Sequence, residues 1–392
     1  MSDKSNVSLP EIFLAYLMVG LTAFSMAILQ KLKSLVRQKK WMSEEEINEG
    51  IALVQLYPGP MMVDFTAYVG YRLRGVWGAV AATTGFILPS FVMMLALSYV
   101  YFTAGNLAWV HVIFTGLEAL VIGVILNVTV DMAAQNIKGK AEAVIAFLAF
   151  AVLLFKINAI WVVLVALCLG AILLRPNTKS KAIPQAQASV PMRQWIGIAL
   201  ISFFVVLVLV ASILLKSEVG ALSVSLFKIG SVAFGSGTTI VPLLQTEVVN
   251  AHHWMSMSQF ADGLALGQIT PGPFLITATF IGYKMGGLFG ATLATFAMFS
   301  PSFIMTLIFT ELFVHIRNLK VIRGALAGVL ASFVGMLAAV ILDLADVTMK
   351  SPAAFGMAAL AFIAVRWFKL DVIWVFAGGI VLWIALTAVG LS

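Results

Sequence analysis

Charge is what this chain has least of. Of its 392 residues only 10% are Asp, Glu, Lys or Arg, while 61% are hydrophobic and the mean hydropathy is +1.05. Soluble domains carry about 25% charged residues, so an aqueous globular fold is excluded. Cysteine is nearly absent. The single Cys168, set in an apolar run, rules out an intramolecular disulfide and a cysteine-based metal cluster. The 4 His, with His252 and His253 adjacent, have no metal-ligand spacing, so no metal is expected. A Gly-x-x-x-x-Gly-Lys-Ser/Thr element is missing, which excludes ATP hydrolysis by a P-loop. No Ser–His–Asp set or His–carboxylate pair lies at useful spacing, so neither catalytic residues nor a cofactor are expected. Alternating strand patterns are missing too, which excludes an outer-membrane barrel. The formal net charge of +7 is not a nucleic-acid signal, because the Lys and Arg sit in short loops where they set membrane orientation. The first apolar run lacks a basic n-region and a small-residue cleavage site, and reads as a retained helix.

What is present is an all-α polytopic membrane protein. Apolar stretches at 9–29, 76–102, 110–130, 141–155, 159–174, 194–215, 221–244, 287–309, 325–342, 352–365 and 372–391 are the candidate spans. Ser43 followed three residues on by Glu46 is a capping box and starts a helix. That helix runs into Gln55-Leu56-Tyr57-Pro58-Gly59-Pro60, which has a twin in Gln268-Ile269-Thr270-Pro271-Gly272-Pro273. Two Pro around a Gly break a helix, since Pro lacks an N–H and restricts its predecessor. A break inside hydrocarbon is tolerated only where it is buried in protein or lines a wet cavity. Paired breaks at matching places in two halves point to a transporter binding site.

The halves match residue by residue. Trp41-Met42-Ser43 corresponds to Trp254-Met255-Ser256, and Leu88-Pro89-Ser90-Phe91 to Ser300-Pro301-Ser302-Phe303. Phe155-Lys156-Ile157-Asn158 corresponds to Phe368-Lys369-Leu370-Asp371. The expected division is a first repeat at 1–174, a linker with a connecting hydrophobic helix at 175–220, and a second repeat at 221–392. The loop before the first break is strongly basic, whereas its twin, 245–258, has no Lys or Arg. Swapped loop charge predicts inverted repeats. Each Pro-Gly-Pro segment is either a re-entrant hairpin, giving five crossings per half, or a broken helix that crosses once, giving six.

Several side chains stand out near the breaks. The residues after each Pro-Gly-Pro form a half-helix N-terminus, which favours an anion. Pro58, Gly59, Pro60, Pro271, Gly272 and Pro273 are therefore substrate-site candidates, with Gln55 and Gln268 as amide donors and Thr277 as a hydroxyl donor. A packing kink and a back-bonded hydroxyl are the bland readings. Gly235, Ser236, Gly237 and Thr238 read either as a binding loop or as small-residue helix packing. Lys228 is the leading cation for an oxyanion, against a snorkelling lysine. Asp64, Glu118, Arg72 and Lys284 are candidates for charge or proton coupling. Arg72 and Lys284 read equally as membrane-edge anchors, and Asp262 reads as a helix-start residue.

Trp41-x-Ser-Glu-Glu-Glu, Leu53-x-Gln-x-x-Pro-Gly-Pro, Gly70-Tyr71-Arg72-Leu73-x-Gly75 and Leu88-Pro89-Ser90 together resemble the chromate ion transporter family in its long, two-domain form. The second half adds Lys228-Ile229-Gly230, Phe234-Gly235-Ser236-Gly237, Pro242-Leu243-Leu244-Gln245-x-Glu247 and Gly282-Tyr283. The resemblance implies a multi-pass carrier of the inner, plasma membrane that exports chromate, an oxyanion shaped like sulfate. Its partners would then be the oxyanion and the lipid bilayer, and a homodimer is one assembly such a carrier could form. Phe24-Ser25-Met26-Ala27 stands where the family has Phe-Gly-Gly-Pro, and Met61-Met62-Val63-Asp64 where an Asn-rich stretch is usual. A carrier of another small anion on the same fold is the alternative, with an intramembrane enzyme or a scaffold behind it.

Overall fold

The computed structural model describes residues 7–22, 24, 27–104, 108–174, 192–214, 217–235, 237–316 and 320–390. Among them the chain is helical but for two short strands. Each repeat opens with two hairpins of short helices. In the first, α1 (Leu9–Thr22) turns back through α2 (Ala27–Gln38). Lys39 pairs with Glu11 at 3.1 Å, and Tyr16 lies beside Trp41, which brings the end of α2 to the start of α1. The apolar stretch 9–29 is therefore not one span. A run of this length serves equally as two half-length helices, because hydropathy counts residues and not direction. The same correction holds for 221–244. There α9 (Glu218–Val232) ends, and the chain returns through α10 (Val241–Leu244) and a π-helical turn, Gln245–Ala251. Ser225 donates to Glu247 across this hairpin at 2.8 Å.

The Pro-Gly-Pro segments are the tips of the second hairpins. Helix α3 (Glu44–Val54) carries the expected capping box, with Glu46 N–H donating to Ser43 Oγ and Ser43 N–H donating to the Glu46 carboxylate. After the break, α4 (Met61–Ala104) runs back along α3: the Tyr68 ring covers Gly50, and Arg72 reaches Glu46 at 3.6 Å. The twin repeats this, with a capping box of Ser256 and Gln259 on α11 (Met257–Ile269). Here α12 (Thr277–Ile316) lays Phe280 on Gly263, and Lys284 donates to Gln259. Both long helices then reverse at Gly75 (φ 62°) and Gly287 (φ 56°), left-handed positions that glycine tolerates. The second arms of α4 and α12 begin there.

The remaining helices exchange partners between repeats. Helices α6 (Lys140–Leu154) and α7 (Ala159–Leu173) pack on α13 (Lys320–Thr348) of the other repeat. Helices α14 (Pro352–Arg366) and α15 (Val372–Ala388) pack on α5 (Ala108–Asn136). Glycines set the closeness. Gly335 lies against the Ala146 carbonyl, and Gly123 against that of Ala358. Small residues let helix backbones approach where hydrocarbon offers no hydrophobic drive for association.

These contacts fix direction. Ala146 beside Gly335 and Lys156 beside Asp343 make α6 parallel to α13. Gly123 beside Ala358 and Asp131 beside Arg366 make α14 parallel to α5. The turn 137–139 between α5 and α6 is short, and short connections between bundle helices join antiparallel neighbours. Hence α5 opposes α6, and so opposes its own counterpart α13. The repeats are inverted. After its two hairpins each has four helices, the second arm of α4 or α12 and then the next three. An even number requires one more reversal between repeats, and α8 (Met192–Leu214) supplies it.

The Gly170–Gly328 contact tests this interlocking. A Cβ on Gly328 would lie 2.7 Å from Gly170 Cα, whereas one on Gly356 meets nothing within 4 Å. Gly328→Val should destabilise the protein by about 2 kcal/mol through overpacking, and Gly356→Ala should be neutral or mildly stabilising. Unfolding of the purified protein in detergent reads both.

Candidate functional site

The tips of hairpins from opposite repeats meet. Gly59-Pro60 forms strand β1 and pairs in parallel with β2, Phe234-Gly235, in the register Gly59 to Phe234 and Pro60 to Gly235. These strands satisfy some of the backbone groups that the breaks free. Left-handed Gly235 (φ 78°), Gly237 (φ 54°) and Gly272 (φ 104°) shape the tips. Thr239 donates its hydroxyl to the Phe234 carbonyl at 2.5 Å and holds the end of β2.

Each Pro-Gly-Pro tip also presses on the Pro-Ser segment of the other repeat. A Cβ on Gly59 would lie 2.9 Å from Ser302 Cβ, and one on Gly272 would strike Ser90 Oγ. Tyr57, beside the first tip, donates to Thr306 at 2.8 Å and stacks on Phe309 at 4.8 Å. The two duplicated breaks, far apart in sequence, thus sit at the joint between repeats. That is where a broken-helix carrier keeps its solute.

Pro60, Pro271, Gly272, Pro273, Thr238 and Thr277 are buried, and Pro58 and Gly237 are half-buried. Gln55 and Gly235 are exposed, so the tip region is reachable from outside the packed core. Gln55 donates weakly to Met61 Sδ at 3.5 Å. Gln268 is half-buried, and its amide nitrogen has no partner among the described residues, which leaves a donor available at the second break. The Thr277 hydroxyl donates to the Phe274 carbonyl at 3.0 Å, the back-bonded alternative, and leaves only lone pairs for other contacts. Ser236 lies outside the described residues. Lys228 is exposed on α9, two residues before the buried Gly230 that packs on α12. Arg72 and Lys284 reach the capping residues Glu46 and Gln259, so their shared place in the repeats is explained by tying each hairpin shut at its base.

A second polar cluster also joins the repeats. Glu118 on α5 accepts from Ser258 at 2.5 Å, and Asp262 on α11 accepts from Tyr101 at 2.6 Å. The two carboxyls lie next to each other, and both residues are buried. Asp262 is more than a helix-start residue. Its position in the first turns of α11 gave that reading, and only the tertiary fold shows that Glu118 comes to it. Glu247, inside the π-helical turn, accepts from Asn158 at 2.6 Å as well as from Ser225. π-helical turns are frequent at functional sites. None of the three carboxylates has a spacing in sequence that announces its partners.

Comparison with known proteins bears on what such a joint carries. A family profile described as chromate transporter matches residues 10–171 and 220–384. An uncharacterised transporter of Methanocaldococcus jannaschii is 33% identical over 87% of this chain and 85% of its own. A chromate transport protein of Pseudomonas aeruginosa is 31% identical over 96% of this chain and 92% of its own. Another, from Cupriavidus metallidurans, is 31% identical over 80% and 76%. No solved structure matches. With both repeats matched and the relatives covered through most of their length, the chain is a multi-pass membrane protein that belongs to the chromate transporter family.

Proposed function

We propose that the protein carries chromate, or a sulfate-like oxyanion, out across the plasma membrane by alternating access. The observation that supports this most is the meeting of the hairpin tips, paired as Gly59-Pro60 with Phe234-Gly235, at the joint of inverted repeats. The second break, around Pro271-Gly272-Pro273, supplies a helix N-terminus with about half a positive charge. Gln268 adds an unpartnered amide donor there. Gln55, Gly235, Gly237 and Thr238 would complete the lining, and exposed Lys228 would meet the anion on its way. Export of a divalent anion from a negative-inside cell is favoured by roughly 2 × 2.3 kcal/mol per 100 mV, so no nucleotide is needed. Vesicles containing the protein should take up labelled chromate, and sulfate more strongly than phosphate if the site prefers the chromate charge and shape. Uptake no greater than in empty vesicles for all three would reject an oxyanion carrier. Lys228→Met should weaken apparent affinity tenfold, which corresponds to about 1.4 kcal/mol.

Sidedness follows from chain direction. With the basic loop 31–40 inside, loops 137–140, 175–193, 317–323 and 366–369 are inside as well. Outside fall 104–108, 155–158, 215–217, 245–256 and 349–351, whose only Lys or Arg are Lys156, Lys216 and Lys350. Most of the Lys and Arg thus lie inside, as the positive-inside rule expects. In a Cys168→Ser background, an impermeant thiol reagent should label a cysteine at His253 in intact cells and miss one at Lys39. Equal labelling would contradict the arrangement.

The breaks themselves are open to test. Replacing Pro271 and Pro273 together by Ala should abolish transport while the protein still inserts, because a restored helical ladder removes the tip. The Pro58 and Pro60 pair should behave likewise, with a smaller loss. Full transport in both would reduce the breaks to packing kinks.

A further inference from the structure

The two Pro-Gly-Pro tips differ in charge. Where the second has Thr277 in the first turn after the break, the first has Asp64. Asp64 is completely buried, and neither carboxylate oxygen has a hydrogen-bond partner among the described residues. One oxygen lies so close to Gly59 that a Cβ there would collide with it. Facing it from α12 of the other repeat are the hydroxyls of Ser302 and Thr306, both fully buried.

Each hydroxyl also has a backbone acceptor within reach. Ser302 donates to the Phe299 carbonyl at 3.3 Å, and Thr306 donates to the Ser302 carbonyl at 2.9 Å. The Thr306 oxygen in turn accepts from Tyr57 at 2.8 Å. Among the described residues the only side-chain donors facing the carboxylate are these two hydroxyls, each shared with a backbone carbonyl. An anion would meet a buried carboxylate at this point, and Asp64 itself occupies the half-helix N-terminus that would attract one. A buried carboxylate with so few donors is costly unless a positive partner joins it. Among the described residues no Lys, Arg or His faces it, and Tyr57 is the one other titratable group at its side.

The geometry points to a cation site at the first tip, in which Asp64, Ser302 and Thr306 bind a small monovalent cation, a proton or a sodium ion, as the companion ion of the carrier. Oxygen-only donors at an unwound helix segment are the chemistry by which broken-helix carriers hold such ions. The site is split between repeats, Asp64 on one and Ser302 and Thr306 on the other. Occupancy therefore favours the conformation in which the first tip touches α12, and emptying it frees the tip to part. The second tip, with Thr277 and without a carboxylate, is left to the oxyanion. The companion role rests on the carrier reading above, while the binding itself does not.

The test uses the purified full-length chain in detergent without any oxyanion, so it stands even if no oxyanion is carried. Thermal unfolding is followed in sodium chloride against choline chloride at equal ionic strength, and across pH in sodium-free buffer. For sodium, Tm should rise with its concentration, and Ser302→Ala and Thr306→Val should each weaken the apparent affinity tenfold or more. For a proton, Tm should be highest at low pH and fall as pH rises, and the hydroxyl variants should keep that response. In either case Asp64→Asn should remove the response. If that variant fails to fold, Asp64→Glu should shift the midpoint of the response. A parent protein indifferent to both ions, or a response unchanged in the Asp64 variant tested, would overturn the proposal.

Discussion

A freed backbone N–H or carbonyl cannot be left in hydrocarbon, and this constraint shapes the molecule more than any single contact. Hairpin tips at 55–60, 233–235 and 270–273 interrupt helices inside the apolar body. Each must find partners from the protein, and the way they do so is reciprocal. The tip of one repeat leans on the Pro-Ser segment of the other, and two tips form a strand pair across the joint. The breaks therefore hold the repeats together as well as opening them. Transport through such a joint amounts to exchanging one set of satisfied backbone groups for another.

The duplication is close in backbone and loose in chemistry. Kinks at Gly75 and Gly287, capping boxes at Ser43 and Ser256, and the ties from Arg72 and Lys284 recur almost unchanged. Positions near the tips have diverged, as Asp64 against Thr277 and Glu118 against Leu330 show. Backbone geometry is what inversion needs in both halves. Polar side chains are free to specialise, since two unlike sites do more than two copies of one.

Much of this was legible in sequence because it is local. Pro-Gly-Pro dictates a break wherever it falls, Ser43 with Glu46 dictates a cap, and loop charge reports side. The first hairpin of each repeat was not legible, because 9–29 and 221–244 have the length and apolarity of ordinary spans, and nothing in hydropathy records a reversal. For the same reason hydropathy leaves the number of crossings, and with it the place of α8, open. Nor could the sequence bring Glu118 to Asp262, or Ser302 to Asp64, since each pair joins elements from different repeats. Lys228 drew attention as a charge in an apolar run, yet it is exposed on α9.

The exchange of helices between repeats has a bearing on how the chain is made. Helix α5 is clad by α14 and α15, which are made long after it, while α6 and α7 must wait for α13. Synthesis proceeds from the N-terminus, and domains generally fold in that order. Here the first repeat cannot finish on its own. Glycine-lined grooves that receive later helices stay open until those helices insert, and a chain without α14 and α15 would leave α5 bare. The molecule is thus assembled as a single late closure, with its earliest part among the last to be sealed.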